Sequence, residues 1–361
     1  MTLRAVSIEF QNFRNLKAGK IDCHPAVNVI YGDNAQGKTN LLEAIWLFSG
    51  ARSFRGAKDN ECICHGQEQA RLKLEFESLG RGHSAQLDIS NRRTAFLDGV
   101  SLKTPGELAG NFKAVVFSPT HLSLIKDGPN GRRRFIDTAI GQIWPKYIGI
   151  LKNYTHCLAQ RNALLKDVRY HTQLFDMLDV YDGELARMGG QIASYRKRYV
   201  DKLKQFVGDI YSGISGGKEV LGVEYQAIGG MDSDSLLTAL KANRNADIAT
   251  ATTSVGPHRD ELLVSVNGMA ARAYGSQGQQ RSAVIALKMS EAAVISEISG
   301  EHPVALLDDV MSELDEGRQD YILSHIKDWQ VFITCCDRSS VKLLKEGVAL
   351  QMKEGQIIKG E

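Results

Sequence analysis

The chain reads as an α/β fold in which mixed sheets with flanking helices are interrupted by an inserted all-helical arm. Three observations predict this. Residues 28–31 end a buried strand, followed by a glycine turn and by apolar residues at helical spacing over 40–48. Residues 304–307 form a second apolar strand that closes on two carboxylates, Asp308 and Asp309. Between them, residues 131–212 hold one proline, Pro145, and long stretches of helical periodicity. With 361 residues, 43% hydrophobic and 24% charged, the chain suits two domains or one domain with a large insertion. The division expected is 1–125 for the first part of a head, 126–217 for the arm and 218–361 for the rest of the head.

Composition narrows the partners. A net charge of +2 announces no nucleic acid by itself, so any basic surface must be local. No apolar run approaches the roughly 20 residues that cross a bilayer, so no membrane partner is expected. Residues 1–10 alternate like a strand and lack the apolar core of a secretion signal. Cys23, Cys62, Cys64, Cys157, Cys335 and Cys336 show no disulfide-scaffold spacing, which makes a reducing cytoplasm the expected compartment. Cys62-x-Cys64-His65 resembles half a metal site, but no second pair stands at a useful distance.

Taken in order, residues 3–11 and 25–31 are expected as strands, separated by the polar turn Asn12-Phe13-Arg14-Asn15-Leu16. If those strands are neighbours, the turn sits beside the glycine loop. Arg14 then stacks on a base, meets a phosphate, or is a solvated turn arginine. Gly32-Asp33-Asn34-Ala35-Gln36-Gly37-Lys38-Thr39 is the P-loop pattern, a glycine and four free positions before Gly-Lys-Thr, in the strand–loop–helix context it requires. Its amides and the free N–H groups of the helix start, Asn40 included, face one concavity that suits phosphate oxygens. Lys38 is expected on the outer phosphates and Thr39 on Mg²⁺, so the ligand implied is a nucleoside triphosphate such as ATP.

Ser53-Phe54-Arg55-Gly56 follows as a loop, and 70–78, 84–90 and 93–98 alternate as an antiparallel meander with Asp98-Gly99 at a hairpin turn. Ala114-Val115-Val116-Phe117 is a buried strand broken at Ser118-Pro119. Helical stretches at 135–140, 147–165 and 174–211 make the arm, and Ser212-Gly213-Ile214-Ser215-Gly216-Gly217 is its hinge. Its heptads are too irregular for a long coiled coil. A strand at 219–226, a polar helix near 234–243 and the strand Leu262-Leu263-Val264-Ser265-Val266 resume the α/β pattern.

The strand ending in Asp308-Asp309 is a Walker B arrangement, which carries its acids to the magnesium of a P-loop. Asp308 is the candidate for holding the ion and Asp309 for orienting or deprotonating the attacking water. Tyr274-Gly275-Ser276-Gln277-Gly278-Gln279-Gln280-Arg281 is a glycine-containing turn that runs into an apolar helix at 283–298. Alone it is either an N-capped helix start or a motif of the ABC signature type. Upstream of the Asp308-Asp309 strand, and with Ser312-Glu313-Leu314-Asp315 as a D-loop-like turn, it points to an ABC-type P-loop ATPase head. In that class Ser276, Gln277, Gly278 and Gln279 cap the γ-phosphate held by a second subunit, so ATP joins a homodimer.

Two other classes use a P-loop. The energising subunit of a transporter carries a switch histidine and a shorter span than the roughly 270 residues between these motifs. A small-metabolite kinase needs a substrate lid and leaves Ser276-Gln277-Gly278 without a role.

Together these motifs resemble the RecF family, the bacterial recombination-mediator ATPases of gap repair. The resemblance runs along nearly the whole chain. It is carried by Asn12-Phe13-Arg14-Asn15, the stretch from Gly37 to Ile45, Phe117-Ser118-Pro119 and Gly131-Arg132-Arg133-Arg134-Phe135-Ile136-Asp137. It continues in Gly256-Pro257-His258-Arg259-Asp260, Ser276-Gln277-Gly278-Gln279-Gln280-Arg281 and Leu307-Asp308-Asp309-Val310-Met311-Ser312-Glu313-Leu314-Asp315. It implies an ATP-dependent DNA-binding protein with slow, DNA-stimulated hydrolysis that acts with RecO and RecR to load RecA at single-strand gaps. The implied dimer closes around duplex DNA between its arms. Three features depart from the wider ABC pattern: Gln277 replaces the first signature glycine, Cys335-Cys336-Asp337 stands where a switch histidine is common, and no Q-loop glutamine is assignable. His258 and Arg259 either tie their loop to a sheet or contact nucleotide.

Candidate DNA contacts are Arg132, Arg133 and Arg134 at the arm's entrance and Arg196, Lys197, Arg198, Lys202 and Lys204 along its helix. Such residues track phosphates without reading sequence, or form a solvated face or internal ion pairs. Arg133 or Arg134 also has the option of bracing the arm against the head.

Overall fold

The computed structural model describes residues 3–168, 171–336 and 347–359. Strands β1 (Arg4–Phe13) and β2 (Leu16–Asp22) form a tight hairpin at Arg14-Asn15, and β3 (Val27–Tyr31) leads through the glycine loop into α1 (Lys38–Leu47). The meander is β4 (Ala70–Ser78), β5 (Arg81–Ile89), β6 (Arg93–Leu97) and β7 (Val100–Ser101), followed by β8 (Ala114–Phe117). Helices α2 (Ser123–Lys126), α3 (Pro129–Ile143), α4 (Lys146–Asp167) and α5 (Phe175–Ser215) come next. Then come β9 (Leu221–Gln226), α6 (Ser233–Ala242), α7 (Arg244–Thr250), β10 (Glu261–Val266), β11 (Met269–Ala270), α8 (Ala271–Tyr274) and α9 (Gln277–Ser299). The last elements are β12 (Val304–Leu307), α10 (Glu316–His325), β13 (Val331–Cys335), β14 (Gly347–Lys353) and β15 (Gln356–Lys359).

The chain divides into two compact units, the first made of Met1–Leu122, Asp209–Lys218 and Arg281–Glu361. It contains two six-stranded sheets. One, ordered β2-β1-β4-β5-β6-β7, is antiparallel throughout; the other, ordered β15-β14-β3-β13-β12-β8, has five parallel strands and one antiparallel edge. Helix α1 packs into the core shared by both sheets. Leu41, Leu42 and Ile45 meet Ile8, Phe10, Leu72 and Leu74 from one, and Ile30, Val116, Leu306 and Phe332 from the other. A helix enclosed this way is buried nearly all round, which explains its lack of a polar stripe. Each residue of β12 is fully buried, as a strand covered on both faces of a parallel sheet must be.

Two strand expectations change here. Residues 16–22 form β2, an edge strand on which only Leu16 and Ile21 are buried, so its sequence shows no alternation. Strands β1 and β3 are not neighbours but belong to different sheets. The Asp98-Gly99 turn is as expected: both residues have positive φ, 50° and 79°, the backbone a two-residue hairpin turn favours.

The second unit is Ser123–Gly208 with Glu219–Gln280. The helices expected as an arm over 126–217 share this unit with a three-stranded antiparallel sheet, β11-β10-β9, while residues 209–217 fall in the first unit. The two six-residue strands were legible, but their pairing with each other, Leu221 opposite Val266 through Gln226 opposite Glu261, was not. An ion pair between Arg132 of α3 and Glu261 of β10, 2.7 Å, ties helices to sheet inside the unit.

Candidate functional site

The glycine loop is built where β3 leaves the carboxyl end of its sheet, the edge at which open α/β sheets hold ligands. Gly32 and Gly37 have φ of +150° and +112°, and a Cβ at either position would meet neighbouring atoms at 2.3 Å and 2.7 Å, so glycine is required at both. Lys38 is only 4% exposed and its Nζ donates to the carbonyls of Gly32 (2.7 Å) and Asp33 (3.0 Å), which keeps the amine at the inner rim of the loop.

Asp308 arrives beside this loop because β12 lies between β8 and β13, and its N–H continues the ladder to the Phe117 carbonyl at 2.8 Å. Thr39 Oγ1 donates to Asp308 Oδ1 at 2.7 Å, joining the two motifs across 269 residues of chain. Thr334, from β13, places its hydroxyl 3.2 Å from the same oxygen and accepts the Asp309 N–H at 2.8 Å. Burial pushes the Asp308 carboxyl above the usual range and the Asp309 charge adds to this, while the Thr39 hydroxyl opposes it. Asp309 sits at φ 50°, a left-handed conformation costly for aspartate, and Ser312 Oγ bonds its carbonyl at 2.8 Å to hold the bend. Asp315 caps α10 by accepting the Arg318 N–H at 3.0 Å.

The oxygens of Thr39 and Asp308 suit a magnesium ion, which takes hard oxygen ligands and draws the rest from phosphates and water. Among the described residues no group of three or more His, Cys, Asp or Glu side chains stands ready to hold a metal by itself, the Cys62–Cys64–His65 stretch included.

Arg14, expected on the nucleotide, has its donors committed elsewhere. Its Nε and Nη2 form a fork on the buried Glu43 carboxylate, both at 3.0 Å, and Nη1 donates to the Glu61 carbonyl at 2.9 Å. It pins the β1–β2 turn to α1. The residue that reaches the loop is Asn15, whose Nδ2 donates to the Ala35 carbonyl at 3.1 Å and whose Oδ1 accepts from Asn40 at 2.7 Å. Arg55, also missed, is half-exposed, bonds Asn40 Oδ1 at 2.8 Å, and its charge favours ionised Asp308. A loop arginine carries no local pattern that would have marked it.

The signature turn lies in the second unit, and α9 begins at Gln277. Ser276 and Gln279 cap one another: Ser276 Oγ accepts the Gln279 N–H at 3.2 Å, and Gln279 Oε1 accepts the Ser276 N–H at 2.8 Å. The hydroxyl uses a lone pair in that cap, so its proton is still available to donate. Gln279 Nε2 is taken up by Glu219 at 2.6 Å, and Gly278 lies within the first turn of the helix. After β13, Cys336 Sγ stands 3.8 Å from Lys38 Nζ; Asp337 lies outside the described residues.

The model of the RecF/RecN/SMC N-terminal domain matches residues 5–359. The chain is 40% identical over 331 residues to the DNA replication and repair protein RecF of Agathobacter rectalis, covering 91% of each, and 38% identical to that of Lachnospira eligens over the same share. This chain belongs to the RecF family. A solved structure of the recombination mediator RecF with ATP superposes on all of this RecF-family chain and 98% of its own length, with a TM-score of 0.94 at 35% identity. The ABC-type ATPase head is therefore the fold. An Smc head from Pyrococcus furiosus shares that fold more distantly, with a TM-score of 0.56 at 16% identity.

Three of the eight basic residues expected on DNA in this RecF-family chain spend their donors inside the protein. Arg132 is buried, forked on Glu261 at 2.7 and 2.8 Å, with the carbonyls of Leu124 and Asp127 on its remaining amine. Arg133 donates to the Asp260 carbonyl at 2.5 Å and to Asn130. Arg196, 2% exposed, is forked on Asp137 at 2.9 and 3.0 Å and also holds the Pro257 carbonyl and Asp260. All three brace the second unit from within. Arg134 and Lys204 are exposed. Lys197, Arg198 and Lys202 line a shallow groove of about 440 Å³ with Ser194, Asp201, Gln205 and Met231. Arg198 lies 4.6 Å over the Trp144 ring, which fixes its guanidinium at the surface, and Lys197 pairs with Asp201.

The Gly256-Pro257-His258-Arg259-Asp260 stretch is a structural tie. His258 Nε2 faces the Thr253 carbonyl at 2.9 Å, an atom that only accepts, so Nδ1 is the acceptor for the Tyr154 hydroxyl at 2.8 Å. Burial lowers the His258 pKa to about 4. Arg259 donates to the same carbonyl, and Asp260 gathers the Ile228 N–H, the Tyr225 hydroxyl and Arg196.

Proposed function

We propose that the chain is a slow, DNA-stimulated ATPase that works as a molecular switch. Its ATP-bound homodimer holds duplex DNA near single-strand gaps and, with RecR and RecO, promotes RecA loading in the cytoplasm. The observation that carries this is the Thr39–Asp308 contact at 2.7 Å, which joins a P-loop to a Walker B carboxylate at one sheet edge. The family and the RecF–ATP structure, whose protein is described as a mediator in the RecFOR pathway, support the wider reading.

In this reading the loop amides and Lys38 hold the phosphates. Magnesium, when bound to Thr39 and Asp308, neutralises charge on the phosphate oxygens. Asp309 accepts a proton from the attacking water as its oxygen bonds the γ-phosphorus and the bond to the bridging oxygen breaks. Ser276 of a second copy donates its free O–H proton to the γ-phosphate, so the interface weakens when that group leaves. Exposed Arg134, Lys197, Arg198 and Lys204, with half-buried Lys202, supply sequence-neutral phosphate contacts.

Light scattering tests the switch: ATP with Mg²⁺ should double the mass, Ser276→Arg should abolish that while sparing nucleotide binding, and duplex DNA should accelerate hydrolysis. A chain that remains monomeric with ATP and hydrolyses at the same rate with or without DNA would end this reading.

A further inference from the structure

Strands β3 and β14 run parallel to the pair Tyr31–Gln351 and then part. At the next residues the two backbones still touch, since a Cβ on Gly32 would lie 2.3 Å from the Met352 carbonyl oxygen. Strand β14 turns at Glu354-Gly355, both at positive φ (49° and 72°), into β15, and the tip of this hairpin reaches back to the glycine loop. The Gly355 N–H donates to the Gln36 carbonyl at 3.0 Å, and the Glu354 N–H to the Gln36 side-chain oxygen at 2.6 Å. A Cβ on Gly355 would lie 1.9 Å from the Asn15 carbonyl oxygen, so the two hairpin tips meet backbone to backbone. From its own side Asn15 holds the Ala35 carbonyl at 3.1 Å.

These anchors act through peptide geometry. A trans peptide is planar, with its C=O and N–H pointing opposite ways. Fixing the Ala35 carbonyl therefore aims the Gln36 N–H, and fixing the Gln36 carbonyl aims the Gly37 N–H. We propose that the β14–β15 hairpin is a positioning element for nucleotide: Glu354 and Gly355, with Asn15 opposite, orient the Gln36 and Gly37 amides toward the phosphates. This rests on the nucleotide reading above. Coupling of this kind is reciprocal, so phosphate held by those amides tightens the hairpin in return.

The test uses the full chain and two readouts. Amide hydrogen exchange is followed with and without a saturating non-hydrolysable ATP analogue; the Glu354 and Gly355 amides are expected to slow at least about tenfold on binding. Gly355→Ala should weaken ATP about tenfold while kcat at saturation stays within about twofold of wild type, because Asp309 and Thr39 are untouched. Where that variant fails to fold, Gln36→Ala removes only the side-chain bond to Glu354 and should weaken ATP about threefold to fivefold. Unchanged exchange at 354–355 in a chain that binds ATP, together with wild-type affinity in Gln36→Ala, overturns the hairpin's role alone. Absence of ATP binding by the wild-type chain overturns the nucleotide reading and this one with it.

Discussion

Arg196 and Asp308 are both nearly shut off from water, at 2% and 6% exposure, and the chain treats them in opposite ways. Burial works against the Arg196 charge, but Asp137, Tyr147 and Tyr225 outweigh it, and its pKa is raised. All three guanidinium nitrogens have partners, two of them on a carboxylate fork. The Asp308 carboxylate bonds hydroxyls, the like-signed Asp309 acts on it more strongly than the opposing charge of Arg55, and burial pushes its carboxyl up. Closed pairing marks a brace. A buried charge held by neutral donors is costly by itself and becomes favourable when a cation arrives.

The largest effect should come from the brace. Arg196→Met leaves buried Asp260 and half-buried Asp137 without their counter-charge, so denaturant unfolding should report a loss of about 3–5 kcal/mol. Undiminished stability with weaker DNA binding would return Arg196 to the DNA surface and break the contrast. Next, Asp308→Asn should lower the Mg²⁺-dependent hydrolysis rate by about 10²–10³, measured as phosphate release at saturating ATP. A smaller change is expected at the groove. Arg198→Ala and Lys202→Ala should each reduce the slope of log affinity for duplex DNA against log salt by about one, with no preference among sequences.

The smallest effect is on stability. A carboxyl whose folded pKa is raised binds its proton more tightly in the folded state. Its contribution is present below the unfolded pKa, near 4, and is lost as pH rises through the folded value. Ionised Asp308 therefore weakens the fold at pH 7, and Asp308→Asn should raise the melting temperature there by about 1–3 °C. The gain should shrink below pH 4. A variant that is inactive yet more stable at neutral pH would sharpen the contrast with Arg196 further.

What the sequence disclosed follows the range of each physical signal. The loop from Gly32 to Thr39, the buried strand before Asp308 and the helices of the arm are set by local glycine conformation and periodicity, so they are legible in one dimension. The arginines were not. Arg132, Arg133 and Arg196 sit in basic clusters identical in kind to Lys197-Arg198, and only the placement of Glu261, Asp137 and Asp260 from distant segments separates them. Arg14 and Asn15 are adjacent, and the partner that decides between them, Glu43, is a turn into a helix whose polar position gave no hint that it is fully buried. Strand pairing failed similarly: β9 and β10 were seen, but not that they join each other within the second unit.

The order of the parallel sheet has a consequence for how the molecule is made. Strand β3 finds its neighbours only in β13 and β14, near the far end of the chain. At about 5–20 residues per second, a ribosome needs on the order of tens of seconds between exposing Tyr31 and supplying Cys335. For that interval the nascent phosphate loop hangs from an unpaired apolar strand, so fresh chains will lean on chaperones most heavily before their last thirty residues emerge.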